Sequence, residues 1–172
     1  NAKEVDEAKR KINVIYGSGL FPIISKNKIG FINNNNEIII FPKYDFTNGF
    51  HEGYAMIQKN ELWGLIDAQG NEITPQKYED VSNFKEGLVG VKFKNLWGFI
   101  GLNGHQVVPF EYDGVRDFND GMALVIRNGK FGFVNTNGEQ IIKCKYDFAG
   151  SFCDGLAMVE LKNGDESSCG YI

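Results

Sequence analysis

At 172 residues and 42% apolar content, the chain is long enough to bury a core of its own. Its 22 acidic against 18 basic residues leave a formal charge of −4, which excludes a general nucleic-acid binder with a basic face. No apolar run reaches the roughly 18 residues that a membrane-spanning helix needs, so no transmembrane segment is expected; 21 glycines beside 4 prolines point to many tight turns.

Residues 1–15 read as an N-terminal tail or a short helix: Ala2 to Lys11 is rich in helix formers, with Glu7 four before Lys11. Ile12, Val14 and Ile15 are suited to one short strand beyond it. Asn1 in place of Met points to a removed leader or a trimmed N-terminus, with Asn1-Ala2 as a scar.

From residue 16 onward the chain repeats itself. An aromatic-glycine step recurs with its glycine at 30, 64, 98, 132 and 170, so the spacings are 34, 34, 34 and 38. Phe50, Phe84, Phe118 and Phe152 keep the same period, each three before Gly53, Gly87, Gly121 and Gly155, and so do Tyr44, Tyr78, Tyr112 and Tyr146. The copies run 16–49, 50–83, 84–117, 118–151 and a partial 152–172, forming one repeat domain over 16–172. The longer last spacing comes from the polar stretch Gly164 to Ser168, where a loop tolerates insertion.

A 34-residue period is also that of a helix-pair repeat, but each copy carries too many glycines and turn dipeptides for two helices. In the fourth copy Met122–Ile126, Phe131–Asn135 and Gln140–Ile142 are short apolar runs separated by Asn128-Gly129 and Asn137-Gly138. Asn-Gly between such runs predicts type I′ hairpins, whose two central residues need positive φ. Asn103-Gly104, Gln69-Gly70 and Asn35-Asn36 stand at the equivalent second turn. Each unit therefore reads as a three-stranded antiparallel meander, with a connector that includes a short fourth strand such as Tyr112 to Val115. Consecutive apolar residues such as Ala123, Leu124 and Val125 cover both faces of a strand, so each unit lies between neighbours. The predicted staples between units are Trp63-Gly64, Trp97-Gly98 and Phe131-Gly132: the aromatic is buried, and the glycine leaves room for a ring from a neighbouring strand or copy.

The run from Trp63-Gly64 to Pro75 and from Trp97-Gly98 to Pro109, followed by Tyr78-Glu79 or Tyr112-Asp113 and then Phe84-x-Glu86-Gly87, resembles the bacterial WG repeat family. The resemblance covers 16–172; Ile29, Phe131 and Cys169 stand in place of the tryptophan, and Phe41 and Lys143 in place of the proline. It implies an all-β protein in tandem arrays of variable copy number, frequent at bacterial surfaces or secreted, with no common catalytic activity. Variable copy number favours an open β-solenoid-like array. The alternative is a closed five-bladed β-propeller, for which 34 residues are short of the usual ~40–45 per blade.

Two acidic columns share the period. Glu52, Glu86, Asp120 and Asp154 precede a glycine, and Asp45, Glu79, Asp113 and Asp147 follow the tyrosine. Such carboxylates suit a ligand surface for cations, amino groups or sugars, but recurrence in every copy favours a turn-capping role. Tyr78 and Tyr112 are the aromatic candidates for that surface, since a phenol favours one wet end. His51 and His105 occupy different repeat positions, and Cys144, Cys153 and Cys169 form no ligand pair, so neither a catalytic triad, a metal nor a cofactor is expected. Ser18, in Gly17-Ser18-Gly19, stands where the acid stands in later copies. The expected function is a non-enzymatic scaffold binding a protein, peptide or glycan, at a cell surface if the resemblance holds. The alternatives are a small-molecule, cation or catalytic site of converging carboxylates, and a structural spacer.

Overall fold

The computed structural model describes residues 19–164 and 166–172. The expected tail and added strand over 1–15, and Tyr16 to Ser18, lie outside the described residues. The chain divides into two compact units, Asn1–Tyr78 and Glu79–Ile172. All described elements are strands, and every strand pairing is antiparallel between sequence neighbours.

The first unit holds two sheets. β1 (Phe21–Ser25), β2 (Lys28–Ile32) and β3 (Ile38–Tyr44) form one; β4 (Phe46–His51), β5 (Tyr54–Lys59), β6 (Leu62–Asp67) and β7 (Glu72–Tyr78) form the other. The second unit holds three: β8 (Asp80–Lys85), β9 (Leu88–Phe93), β10 (Leu96–Gly101) and β11 (Gln106–Tyr112); then β12 (Gly114–Val115), β13 (Met122–Arg127), β14 (Lys130–Asn135) and β15 (Gln140–Tyr146); then β16 (Phe148–Ala149), β17 (Met158–Asn163) and β18 (Glu166–Tyr171). None of the sheets closes into a barrel.

The repeat is thus a four-stranded meander in three of the sheets, with the fourth strand placed differently from the connector strand expected over Tyr112 to Val115. That strand opens the sheet: Asp80–Lys85 pairs with β9, and the run predicted as a fourth strand is split, Tyr112 ending one sheet and Val115 opening the next. A polar opening strand such as Asp80-Val81-Ser82-Asn83 shows no regular alternation of apolar residues, so the periodicity does not mark it.

The turns divide into two kinds. Asn128-Gly129 has positive φ at both residues, as do Lys26-Asn27, Asn60-Glu61 and Lys94-Asn95, which are two-residue hairpins. The second turn differs from the expectation: at Asn137-Gly138 only the glycine has positive φ. The side chain of the strand-ending Asn135 takes over there, its Oδ1 accepting the N–H groups of Asn137 and Glu139 at 3.0 and 2.9 Å. Asp67 does the same for Gln69 and Asn71 at 2.9 and 2.8 Å, and Asn33 for Asn35 and Glu37. An acceptor at the start of a loop makes an Asx turn, which fixes a longer connection than the dipeptide alone.

Coverage of both sheet faces is present within the second unit. Ala123 and Val125 pack with Phe99, Val108 and Phe118 on one side, whereas Leu124, between them, packs with Phe133, Ala157 and Val159 on the other. Residues on alternate sides of one strand thus enter two different cores. The edge-on ring pair Phe99–Phe118, with centroids 4.8 Å apart, crosses one such core, and Phe133–Phe152 at 4.9 Å crosses the next. Phe31–Phe50 at 4.8 Å does the same within the first unit.

The tyrosines of the repeat close the third ladder. Tyr44, Tyr78, Tyr112 and Tyr146 are all buried. Tyr78 shares a hydrogen bond with the Thr74 hydroxyl, which also accepts the Leu65 N–H at 3.0 Å. Ile40 stands in the place of Thr74 one copy earlier, and the Tyr44 hydroxyl is the buried side-chain polar atom left without a partner among the described residues. Removing a satisfied hydroxyl costs about 1 kcal/mol, whereas removing an orphaned one relieves a desolvation penalty. Tyr78→Phe is therefore expected to lower the thermal midpoint, and Tyr44→Phe to leave it unchanged or raise it. Equal losses in calorimetry would contradict this pairing of Thr74 with Tyr78.

Candidate functional site

The acids that precede glycine all lie at exposed hairpin tips. Glu52, Glu86, Asp120 and Asp154 have φ of 51, 54, 52 and 53°, and the glycine after each is also at positive φ. The two residues together form a type I′ turn, and the short polar side chain at its first position then points along the tips. In the second unit two of them reach the following tip: the Glu86 carboxylate accepts the Gly121 N–H at 3.1 and 3.3 Å, and the Asp120 carboxylate accepts the Gly155 N–H at 3.0 Å. Asn83 and Asp117, also 34 apart, add a second link, with Asn83 donating from both backbone N–H and side-chain amide. These carboxylates act as latches between successive sheets.

The acids after tyrosine cap the other hairpins. Asp113 accepts the Asn128 N–H at 2.6 Å, Glu79 the Asn95 N–H at 3.0 Å, Asp45 the Asn60 N–H at 2.9 Å and Asp147 the Lys162 N–H at 2.9 Å. Each capped turn carries positive φ on a side-chain-bearing residue or stands beside one, except at Lys162 in the fifth copy; a carboxylate on its N–H offsets part of that strain. Lys28 donates to Asp45, and Lys130 to Asp147 at 2.5 Å. Those lysine contacts and the turn N–H groups hold both carboxyls below their ordinary range, despite the opposing effect of desolvation.

Tyr78 and Tyr112 do not join the acids at the surface. Both are buried, and burial pushes the Tyr112 phenol up to about 12. What the surface offers instead is the cation above each ring. Lys43, Lys77 and Lys145 sit 5.0–5.1 Å from the ring centroids of Tyr44, Tyr78 and Tyr146. Position 111 carries Glu, which cannot play that part; Arg127 covers the Tyr112 ring at 5.2 Å and is ion-paired with Glu111.

The aromatic-glycine step separates into two roles. Trp63, Trp97 and Phe131 are half-buried, and Trp63 lies edge-on to the exposed Phe46 at 5.9 Å. The fully buried residue is the one two later: Leu65, Phe99 and Phe133. Gly64, Gly98 and Gly132 face the bulged closing strand of their own sheet. A Cβ at Gly132 would lie 2.5 Å from the Ile142 carbonyl oxygen, and one at Gly64 2.8 Å from that of Thr74. At Gly98 the Phe110 ring of the neighbouring strand and the Val108 oxygen are both 2.6 Å away.

That bulge sets the exposed edge. Trp97 pairs with Tyr112 while Phe99 pairs with Val108, so the closing strand has two residues more than its partner. Pro75 and Pro109 fall inside this bulge, where a missing N–H costs no ladder bond. The residues displayed there change from copy to copy: Phe41, Pro75, Pro109 and Lys143, all exposed. The position two residues earlier carries Ile39, Ile73, Val107 and Ile141.

His51, at the end of β4, and His105, in the turn before β11, are both exposed, and no cluster among the described residues is arranged to hold a metal ion. All three cysteines are free, Cys153 and Cys169 exposed and Cys144 half-buried with its thiol raised by burial. In the first unit a depression of about 630 Å³ lies between Asn33, Asn34, Asn35, Ile39 and Gln69. The Asn33 amide at its rim is engaged by its own loop, including a 2.6 Å bond to Glu37.

The model of the WG containing repeat matches residues 29–63, 63–97, 97–131 and 131–164. No curated protein matches the chain. A solved structure of a eukaryotic initiation factor is similar at TM-score 0.56 and 11% identity, over 89% of this chain and 48% of that one. Hsv2 of Kluyvelomyces marxianus is similar at TM-score 0.50 and 7% identity, over 82% of this chain and 51% of that one. The chain spans about half the length of the solved structures it matches. Both likenesses are of fold alone, repeated antiparallel sheets as in propeller-like proteins.

Proposed function

The chain belongs to the WG containing repeat family, and from that premise we propose that it is a non-enzymatic scaffold that binds a protein, peptide or glycan along its closing strands. One observation carries this reading. The polar groups that recur in the second unit are engaged in latches and turn caps, while the residues that vary from copy to copy are exposed on the bulged edge. A constant frame with a variable exposed edge is the arrangement of a recognition surface. An edge strand offers unpaired backbone groups, and the side chains beside them select the partner. A protein or peptide fits best, because exposed Phe41, Ile39 and Ile141 present apolar contact beside that backbone. A secreted or cell-surface setting accompanies the reading.

Selection of a displayed random-peptide library on the purified chain tests it, followed by hydrogen exchange of the chain with the enriched peptide. Protection confined to residues 38–44, 72–78, 106–112 and 140–146 is expected. Protection elsewhere, or turnover of a polysaccharide or peptide polymer by the purified chain, would overturn it.

A further inference from the structure

The closing strands repeat in sequence but differ in what their edges can bond. β3 holds Pro42, β7 Pro75 and β11 Pro109, whereas β15 holds no proline. Pro75 and Pro109 belong to no ladder pair of their own sheets, so the N–H that each lacks is one the sheet does not use. It is a donor that a further strand at the edge would need, and without it continuous pairing is interrupted. Lys143 occupies that bulge position in β15, likewise outside the ladder pairs, and keeps its N–H. β15 is an edge of its sheet, paired with β14 alone among the described strands.

The side chains along β15 complete the contrast. Ile142 and Tyr146 pack into the core shared with Ala157 and Val159, and Cys144 into the core on the other side. Ile141, Lys143 and Lys145 stay exposed. At the two lysine positions β11 carries Pro109 and Glu111, the latter ion-paired with Arg127. β7 carries Pro75 and Lys77 there, and β3 Phe41 and Lys43. β15 thus differs from the other three in joining a backbone edge unbroken by proline to two exposed lysines. The carboxylates at its ends are engaged elsewhere. Asp147 holds Lys130 at 2.5 Å and the Lys162 N–H at 2.9 Å, and Glu139 holds the Asn135 amide at 2.7 Å. Lysines on an edge repel a second copy of the same strand and attract an acidic one.

We propose that β15 is a strand-addition site for an extended acidic peptide, which pairs with its outer edge and sets carboxylates against Lys143 and Lys145. This rests on the scaffold reading above and names the strand that takes the partner and the partner's chemistry. Residues two apart in an extended peptide share one face, so acids at alternate positions meet both lysines. Backbone bonds along the edge supply affinity, and the lysine pair supplies the selection.

Fluorescence anisotropy of two labelled short peptides with the purified chain tests this, one alternating Glu with Val and the other Lys with Val. The Glu peptide should bind about tenfold tighter or better, and hydrogen exchange should show protection over 140–146 when it is bound. Lys143→Pro gives β15 the residue that β7 and β11 carry, so the circular dichroism spectrum should be unchanged. It should bind the Glu peptide more weakly than Lys143→Ala does, since alanine removes the charge but keeps the N–H. The double variant Lys143→Glu, Lys145→Glu should prefer the Lys peptide. No binding of the Glu peptide, equal affinity for the two peptides, or an unchanged preference in the double variant would overturn the proposal. If library-selected peptides protect 38–44, 72–78 or 106–112 while the Glu peptide leaves 140–146 unprotected, the scaffold reading stands and the assignment to β15 falls. Turnover of a polymer by the purified chain would overturn both.

Discussion

Gly98→Ala should be among the most damaging single methyl additions available in the second unit, lowering stability by about 3 kcal/mol or more. Its φ is ordinary, so the alanine backbone is not strained there. The cost is one of space. The added Cβ would stand 2.6 Å from both the Val108 carbonyl oxygen and the Phe110 ring, and 2.8 Å from the Pro109 oxygen. Two of those three atoms are backbone held in the bulge, so relief requires the closing strand to move and the ladder between Trp97 and Tyr112 to loosen. For a chain of this size the thermal midpoint should fall by roughly 6–12 °C, at about 2–4 °C for each kcal/mol. Gly170 provides an internal control. It occupies the same step of the repeat, but its sheet shows three strands among the described residues, with no bulged closing strand among them, and nothing among those residues lies within 4 Å of an added Cβ. Gly170→Ala is expected to change stability by no more than about 0.5 kcal/mol. Equal losses in the two variants would mean that the bulge is not why the step carries glycine.

The period, the all-β class and the antiparallel hairpins were legible because each rests on a pattern read along the chain. Ala123-Leu124-Val125 declared two buried faces, and Asn128-Gly129 declared its turn. The bulge was not legible. Nothing in Val107 to Tyr112 states that two residues are looped out, although Pro109 amid apolar residues is the mark that a ladder bond is missing there. The partners of the acids were hidden for a similar reason. Glu86 and Gly121 are 35 residues apart, and only the spatial repeat of the sheets makes them neighbours. The tyrosines misled through chemistry, since a phenol suggests a wet end, whereas Thr74 satisfies Tyr78 inside the protein. Size suggested burial for Trp63 and Trp97, but they are half-buried, and the smaller Leu65 and Phe99 two residues on are the buried ones.

Phe118→Ala is expected to cost about 3–5 kcal/mol, the range for emptying a fully buried phenylalanine site. Phe118 is 1% exposed, opens its repeat, and meets the Phe99 ring edge-on at 4.8 Å across the core between two sheets. Its loss removes transfer free energy and an aromatic pair at once, and leaves a cavity bordered by Val108, Ala123 and Val134 that these small side chains cannot fill. A loss under about 1 kcal/mol would mean that the core relaxes around the site, contrary to close packing there.

The decisive comparison is between the two aromatics of one step, Trp97 and Phe99. If successive sheets are joined through the residue after the glycine, Phe99→Ala will cost about 3–5 kcal/mol in urea unfolding. Trp97→Ala will then cost about half as much, because its ring is only half-buried. A larger loss from Trp97→Ala would return the joining role to the tryptophan and contradict the assignment of Phe99.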